Sequence, residues 1–138
     1  MKNISFLIAL LLFNSVSAEA NSDYKCTIKR ISTAEDAPNS TLKYYEKQGY
    51  IGKQFTVERR TGHIVGSIKN AYGTQPQVID SGSKDNSFKV VTTMRLDEGA
   101  GSGTNIYALT VMEYVESPTK PFVFLQNDVV FFGTCEHY

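Results

Sequence analysis

Apolar and polar residues alternate along most of the chain beyond residue 23, and a period of two is typical of strands that are buried on one face. The clearest segment is 87–96, SFKVVTTMRL, which predicts a strand whose core-facing residues are Phe88, Val90, Thr92, Met94 and Leu96. Similar segments occupy 24–31, 53–60, 63–69, 77–80, 104–116, 122–125 and 129–134. The pattern therefore predicts about eight strands.

Short turn-forming segments separate these strands. Thr61-Gly62, residues 81–86, Ser117-Pro118-Thr119 and residues 126–128 leave only hairpin-length connections. Many short strands joined in this way favour an all-β, antiparallel, single-domain fold over one built from βαβ units. We predict a β-barrel or a strongly curled sandwich, and we favour a barrel or a strongly curled sheet over a flat sandwich.

One segment, 42–46, is ambiguous between a short helix and a strand. Thr41 is a candidate residue for capping a helix there, and Gly49 would end it within two turns. Elsewhere the pattern contains no convincing helix.

The N-terminus has the layout of an export signal. Lys2 is followed by residues 4–13, in which only Ser5 is polar, and Val16-Ser17-Ala18 supplies small residues for cleavage after Ala18. The apolar run is shorter than the roughly 20 residues that cross a bilayer as a helix. We therefore predict a signal peptide over 1–18, a single β-rich domain over 19–138 without a membrane span, and a periplasmic or secreted location.

The two cysteines, Cys26 and Cys135, lie near the two ends of the predicted domain. In an oxidising compartment they predict one disulfide, because two cysteines allow a single intramolecular pairing. The bond would close a loop of about 110 residues, which the chain-entropy description values at about 4–5 kcal/mol. It also predicts that the first and last strands are neighbours, as closure of a barrel would require.

Composition excludes several functional classes. The 14 basic and 14 acidic residues balance, which argues against a strongly basic nucleic-acid-binding protein. With two cysteines and two histidines, a zinc cluster is nearly excluded. His63 is expected at a hairpin tip and His137 on a loose tail, and no Gly-x-Ser-x-Gly motif accompanies either. We therefore expect no catalytic site, no metal ion and no cofactor.

The aromatic residues are the more informative group, because tyrosine combines an apolar ring with a polar hydroxyl and is favoured in binding sites. Tyr72, Tyr107 and Tyr114 are candidate binding residues, with core packing as the alternative role. Arg59 and Arg60 are candidates for holding an anion, although adjacent strand residues point to opposite faces, and a solvated turn is the alternative that we favour.

The segment 129–132, Val-Val-Phe-Phe, is apolar on both faces and therefore needs cover on both. That cover is either a barrel interior plus a packed loop, or a partner chain.

Tyr24-Lys25-Cys26 near the N-terminus and Cys135 near the C-terminus resemble the corresponding ends of the small periplasmic inhibitors of C-type lysozyme, which are compact β-barrels. The resemblance covers only these two short stretches. That family also carries a tryptophan, which this chain lacks, and Ser81-Gly82 is not followed by the family's pattern. No functional residue is transferred from the family.

Two functions follow as hypotheses. The leading one is an exported, non-enzymatic β-barrel that binds either a small apolar ligand or another envelope protein. The alternative is a proteinaceous inhibitor of a cell-wall hydrolase, in which the loop 97–104 or 80–87 enters the enzyme's cleft.

Overall fold

The structure, a computed structural model, describes residues 22–35, 39–99 and 103–138. The predicted signal peptide, 1–18, lies outside the described residues. Eight strands and one helix follow in chain order: β1 (Tyr24–Thr33), α1 (Ser40–Lys47), β2 (Gln54–Val57), β3 (Ile64–Gly66), β4 (Gln77–Ser81), β5 (Phe88–Met94), β6 (Asn105–Val111), β7 (Lys120–Gln126) and β8 (Val129–His137).

The eight strands form one antiparallel sheet in the order β3-β2-β1-β8-β7-β6-β5-β4, curled into a half-barrel. The predicted all-β antiparallel fold is thereby confirmed. The two edges of the sheet are β3 and β4, and no backbone pairing joins them. The connections from β4 to β8 are hairpins, as the short turn segments predict.

The disulfide between Cys26 and Cys135 joins β1 to β8, where the two cysteines are directly opposite each other in the strand register. The expectation that the first and last strands are neighbours is confirmed. The sheet is a curled half-barrel, and β1 and β8 lie in its middle rather than at its edges. The hairpin β2–β3 pairs with the other side of β1, so that β3, and not β1, is the edge strand.

Alternating side chains of every long strand fill the concave side. In β5, Phe88, Val90, Thr92 and Met94 are buried, as the pattern predicts. Leu96 is 59% exposed, because the strand ends at Met94 and the alternation does not continue into the turn. The core is dominated by aromatic and β-branched residues from β1, β2, β5, β6, β7 and β8.

The convex side carries a partly buried apolar row. Val91, Ala108, Leu125 and Val130 are consecutive cross-strand neighbours through β5, β6, β7 and β8. Beside this row, the Arg30 guanidinium lies 3.7 Å from the centre of the Phe132 ring. The second face of 129–132 is therefore covered in part by an arginine of the neighbouring strand.

Packing and one arginine bridge the two sheet edges. The turn after β2 approaches the far side of the sheet so closely that a side chain at Gly62 would overlap Val90 of β5. Arg59 is buried, and its guanidinium donates hydrogen bonds to the carbonyl oxygens of Ser81 and Gly82, at 2.9 and 3.2 Å. These contacts hold β2 and β4 together without a strand ladder.

The ambiguous segment 42–46 is helical and forms most of α1. Asn39 caps the helix by accepting a 2.9 Å hydrogen bond from the Leu42 backbone N–H, so the expectation of Thr41 as the cap is wrong. Gly49 follows the helix in the left-handed conformation, with φ of 64°. Within the described ranges, no helix has the length and apolar character needed to cross a membrane.

Candidate functional site

Seven aromatic rings form a continuous cluster at one end of the half-barrel, the end at which β1 leads into α1. We call this cluster the aromatic end. It consists of Tyr44, Tyr45, Tyr50, Tyr72, Tyr107, Phe124 and Phe131. The rings come from α1, the turn after it, the β3–β4 loop, β6, β7 and β8, so the cluster exists only in the folded chain.

One side of the aromatic end is built on α1. Tyr45 packs edge-to-face on Tyr50, with ring centres 4.9 Å apart, and on Phe131, at 5.3 Å. Tyr44 adds a fourth ring, 5.4 Å from Tyr45, and its side chain is 55% exposed. The helix cap and Gly49 fix this side, because they set where α1 begins and how the chain turns back to Tyr50.

The other side is built on β6 and the loop before β4. Tyr107 faces inward from β6 and stacks nearly parallel to Phe124. Tyr72 lies against Tyr107, with ring centres 5.8 Å apart, and is 52% exposed. Phe124 and Phe131, 6.0 Å apart, join the two sides at the base.

The tyrosine hydroxyls of the two sides lie close enough to influence one another. Burial raises the pKa of Tyr45, and its neighbours Tyr50, Tyr44 and Tyr72 raise it further. Burial also raises the pKa of Tyr107, with Tyr72 adding to the rise. These tyrosines therefore remain neutral at physiological pH and offer both a hydrogen-bond donor and an acceptor.

Among the described residues, no side-chain hydrogen bond occupies these hydroxyls. Within the described part of the chain, the tyrosine hydroxyl that donates a hydrogen bond to protein is that of Tyr24, at the other end of the sheet. Thr92, the cross-strand neighbour of Tyr107, is 1% exposed, and its hydroxyl has no hydrogen-bond partner among the described residues. An unpartnered buried hydroxyl is costly, so its presence beside Tyr107 indicates a place where a polar atom would be stabilised.

The binding residues that the sequence predicts lie at different places in the structure. Tyr72 and Tyr107 meet at the aromatic end. Tyr114 is 46% exposed and lies next to Glu113, which contacts Tyr24 at the opposite end. Arg59 is buried against the Tyr24 ring, at 5.2 Å, whereas Arg60 is exposed and paired with Glu58 at 3.0 Å. The two arginines therefore do not act on a common anion, and the alternative of a solvated turn is wrong for Arg59.

At the Tyr24 end, four polar side chains form a hydrogen-bonded chain. The Tyr24 hydroxyl donates to one oxygen of Glu113, and the Nε2 of His137 lies 2.8 Å from the other. The Nδ1 of His137 lies 2.8 Å from the Ser22 hydroxyl. Burial, and then the hydrogen bond to Glu113, raise the pKa of Tyr24.

This arrangement corrects the expectation that His137 lies on a loose tail. His137 is the last residue of β8 and packs against Tyr24, with ring centres 5.0 Å apart. Hydroxyl, imidazole and carboxylate in this order also occur in nucleophilic enzymes. Here the chain of contacts ties the start of β1, the end of β8 and the segment after β6 together.

Two other features are less suited to ligand binding. His63 is half-buried, and its Nδ1 lies 3.0 Å from the Thr61 hydroxyl of its own turn. An open groove of about 420 Å³ runs along the convex side and is lined by Thr74, Gln75, Gln77, Val91, Thr93, Arg95 and Glu98. Its lining is mostly polar, and Glu98 already accepts a hydrogen bond from the Arg95 backbone. We favour the aromatic end as the binding site, because binding sites combine apolar walls with a few convergent polar groups.

The comparisons with known proteins add no further indication. No family model matches the chain, no curated protein matches it, and no solved structure matches its fold. Its function therefore has to be inferred from the residues and distances described above.

Proposed function

We propose that this protein is a non-enzymatic binding protein that acts outside the cytoplasm and holds a small, largely apolar molecule at the aromatic end. The disulfide supports the location, because such bonds persist in oxidising compartments. The balanced charge and the absence of a nucleic-acid-binding motif in the sequence favour a small molecule over a nucleic acid.

The convergence of exposed and half-buried tyrosines is the observation that carries this proposal. Tyr44 and Tyr72 are each more than half exposed although they belong to a continuous aromatic cluster. Single exposed rings are common on protein surfaces, but exposed rings that belong to one continuous cluster form an apolar patch of the kind that marks binding sites. A ligand placed on these rings would bury apolar area at about 25 cal/mol per Å² and would gain hydrogen bonds from the hydroxyls.

The neutral fluorescent probe N-phenyl-1-naphthylamine tests the proposal. We expect its emission to rise on binding to the wild-type protein, and we expect Tyr72→Ala to weaken binding by about tenfold, since a buried aromatic contact is worth about 1–2 kcal/mol. The measurement is a fluorescence titration of each purified protein with its disulfide intact.

The matched control is Tyr114→Ala. Tyr114 is exposed to a similar extent, 46% against 52% for Tyr72, but it lies at the opposite end of the sheet. Equal weakening by both substitutions, or no binding to the wild-type protein, would contradict the proposal.

Inhibition of a cell-wall hydrolase is the second candidate function. The turn at 83–86 favours it, because Ser83 and Asn86 exchange backbone hydrogen bonds and the Ser83 hydroxyl accepts two more, which makes a compact exposed loop. Part of the other candidate loop, 100–102, lies outside the described residues. Loss of C-type lysozyme activity at nanomolar protein, abolished by replacing Lys84 and Asp85 with alanine, would establish this function. Undiminished lysozyme activity at micromolar protein would exclude it for that enzyme.

A protein ligand in the envelope is the other form of the leading hypothesis. The apolar row Val91, Ala108, Leu125 and Val130 is the surface on which it would dock. This row lies on the convex side, whereas the aromatic rings line the concave side. We therefore favour the small molecule, since the tyrosines are the groups with unused hydrogen-bonding capacity.

A further inference from the structure

We infer that the aromatic end selects an organic cation of the quaternary ammonium class, such as a trimethylammonium group, over a neutral molecule of the same shape. This inference rests on the proposed function and narrows the ligand of the same site. The geometry that points to it is the cluster of tyrosine rings at the aromatic end, in which the face of Tyr50 already holds a cation.

A cation of the chain itself occupies the edge of the cluster. The Nζ of Lys53 lies 4.5 Å from the centre of the Tyr50 ring, within the distance at which a cation is attracted by the electron-rich ring face. Lys53 is exposed and follows the turn after α1, so its long side chain can swing away. The contact shows that one face of the Tyr50 ring is open to a positive charge, which the side chain of Lys53 supplies.

An acidic side chain strengthens the attraction for a cation. Asp128, in the exposed turn between β7 and β8, lies close enough to Tyr45 to contribute to the rise of its pKa. Its negative charge favours a cation near Tyr45 and disfavours an anion there. An anionic ligand would also meet the negative faces of the tyrosine rings.

The type of cation follows from hydration. A primary ammonium group is strongly hydrated and needs several acceptors to replace its water, whereas a trimethylammonium group is weakly hydrated and presents methyl groups to its surroundings. Several aromatic rings around one such group are the usual means of binding it in proteins. Tyr45, Tyr50 and Tyr72 supply rings from both sides of the aromatic end.

The decisive comparison is between choline and its uncharged analogue 3,3-dimethyl-1-butanol, which replaces the nitrogen by carbon. We expect choline to bind about tenfold tighter to the wild-type protein, as cation–π attraction in a partly desolvated site predicts. The affinities are measured by NMR titration of the ¹⁵N-labelled protein with each compound at low salt.

Three variants refine the test. Lys53→Gln is expected to tighten choline binding about threefold, because the competing cation is removed. Tyr72→Phe is expected to keep choline affinity within about threefold, and Tyr72→Leu to weaken it about tenfold, because phenylalanine keeps the ring face. Tyr72 and Lys53 are exposed, so none of these changes disturbs the core.

The outcomes separate this inference from the proposed function. Tighter binding of choline together with a gain in Lys53→Gln supports it. Equal or tighter binding of 3,3-dimethyl-1-butanol overturns the cation preference and leaves the proposed binding function in place. If neither compound nor the naphthylamine probe binds, both the inference and the proposed function are overturned.

Discussion

Gly133→Ala is expected to prevent stable folding of this protein. Gly133 lies in β8 opposite Ile28 of β1, and a Cβ added there would overlap the carbonyl oxygen of Thr27 and meet the Phe122 ring. The first obstacle is backbone in the middle of the sheet, which cannot move without breaking the β1–β8 ladder. We expect a loss of about 4 kcal/mol or more, which is comparable to the whole stability of a small domain.

Urea unfolding monitored by circular dichroism measures this effect, with soluble yield as a first indication. Gly103→Ala is the matched control, because a Cβ at Gly103 meets nothing within 4 Å. Gly52→Ala is a second control, since Gly52 also has open space but has φ of 85°, and it should cost about 1 kcal/mol from backbone strain alone. A Gly133→Ala protein as stable as Gly103→Ala would show that β1 and β8 are further apart than described.

Removal of the disulfide is expected to have the second largest effect. In Cys26→Ala/Cys135→Ala the unfolded chain loses a closed loop, since the two cysteines are separated by 109 residues. The chain-entropy description predicts a loss of about 4–5 kcal/mol, and alanine avoids placing an unpaired hydroxyl in the core. Both cysteines are buried, so the folded structure itself should change little.

The free energy of unfolding of the double variant, from urea titration, gives the number directly. The wild-type protein in the presence of a reducing agent should unfold at the same urea concentration as the double variant, because reduction removes the same constraint. A free energy of unfolding within about 1 kcal/mol of that of the oxidised wild type would mean that the bond contributes little, and that strand pairing alone holds β1 to β8.

Much of the fold is predictable from local patterns. The period-two alternation identifies strands such as 88–94, and the cysteine positions predict that β1 and β8 are neighbours. The order of the strands in the sheet is not predictable in this way, because it depends on which strand the hairpin β2–β3 pairs with. The pattern does not decide between helix and strand at Ser40–Lys47, because the residue that caps the helix, Asn39, lies outside the ambiguous segment 42–46.

The candidate site is less predictable than the fold. Tyr72 and Tyr107 are separated by a long stretch of sequence and meet only because the β3–β4 loop returns to the end of β6. Tyr45 reaches Phe131 through the direction of a short helix, which no periodicity indicates. The sequence signal that could have identified the cluster is the run of tyrosines at 44, 45 and 50 beside a chain turn. The role of His137 was missed for the same reason, since its partner Glu113 belongs to another strand connection.

The most direct test of the binding site is a map of where a neutral ligand contacts the protein. ¹⁵N NMR spectra recorded with increasing 3,3-dimethyl-1-butanol should show saturable shifts confined to residues 44–50 and to Tyr72, Tyr107 and Phe131. Shifts centred on the convex row of Val91, Ala108, Leu125 and Val130, or on the Tyr24 end, would contradict the aromatic end as the binding site.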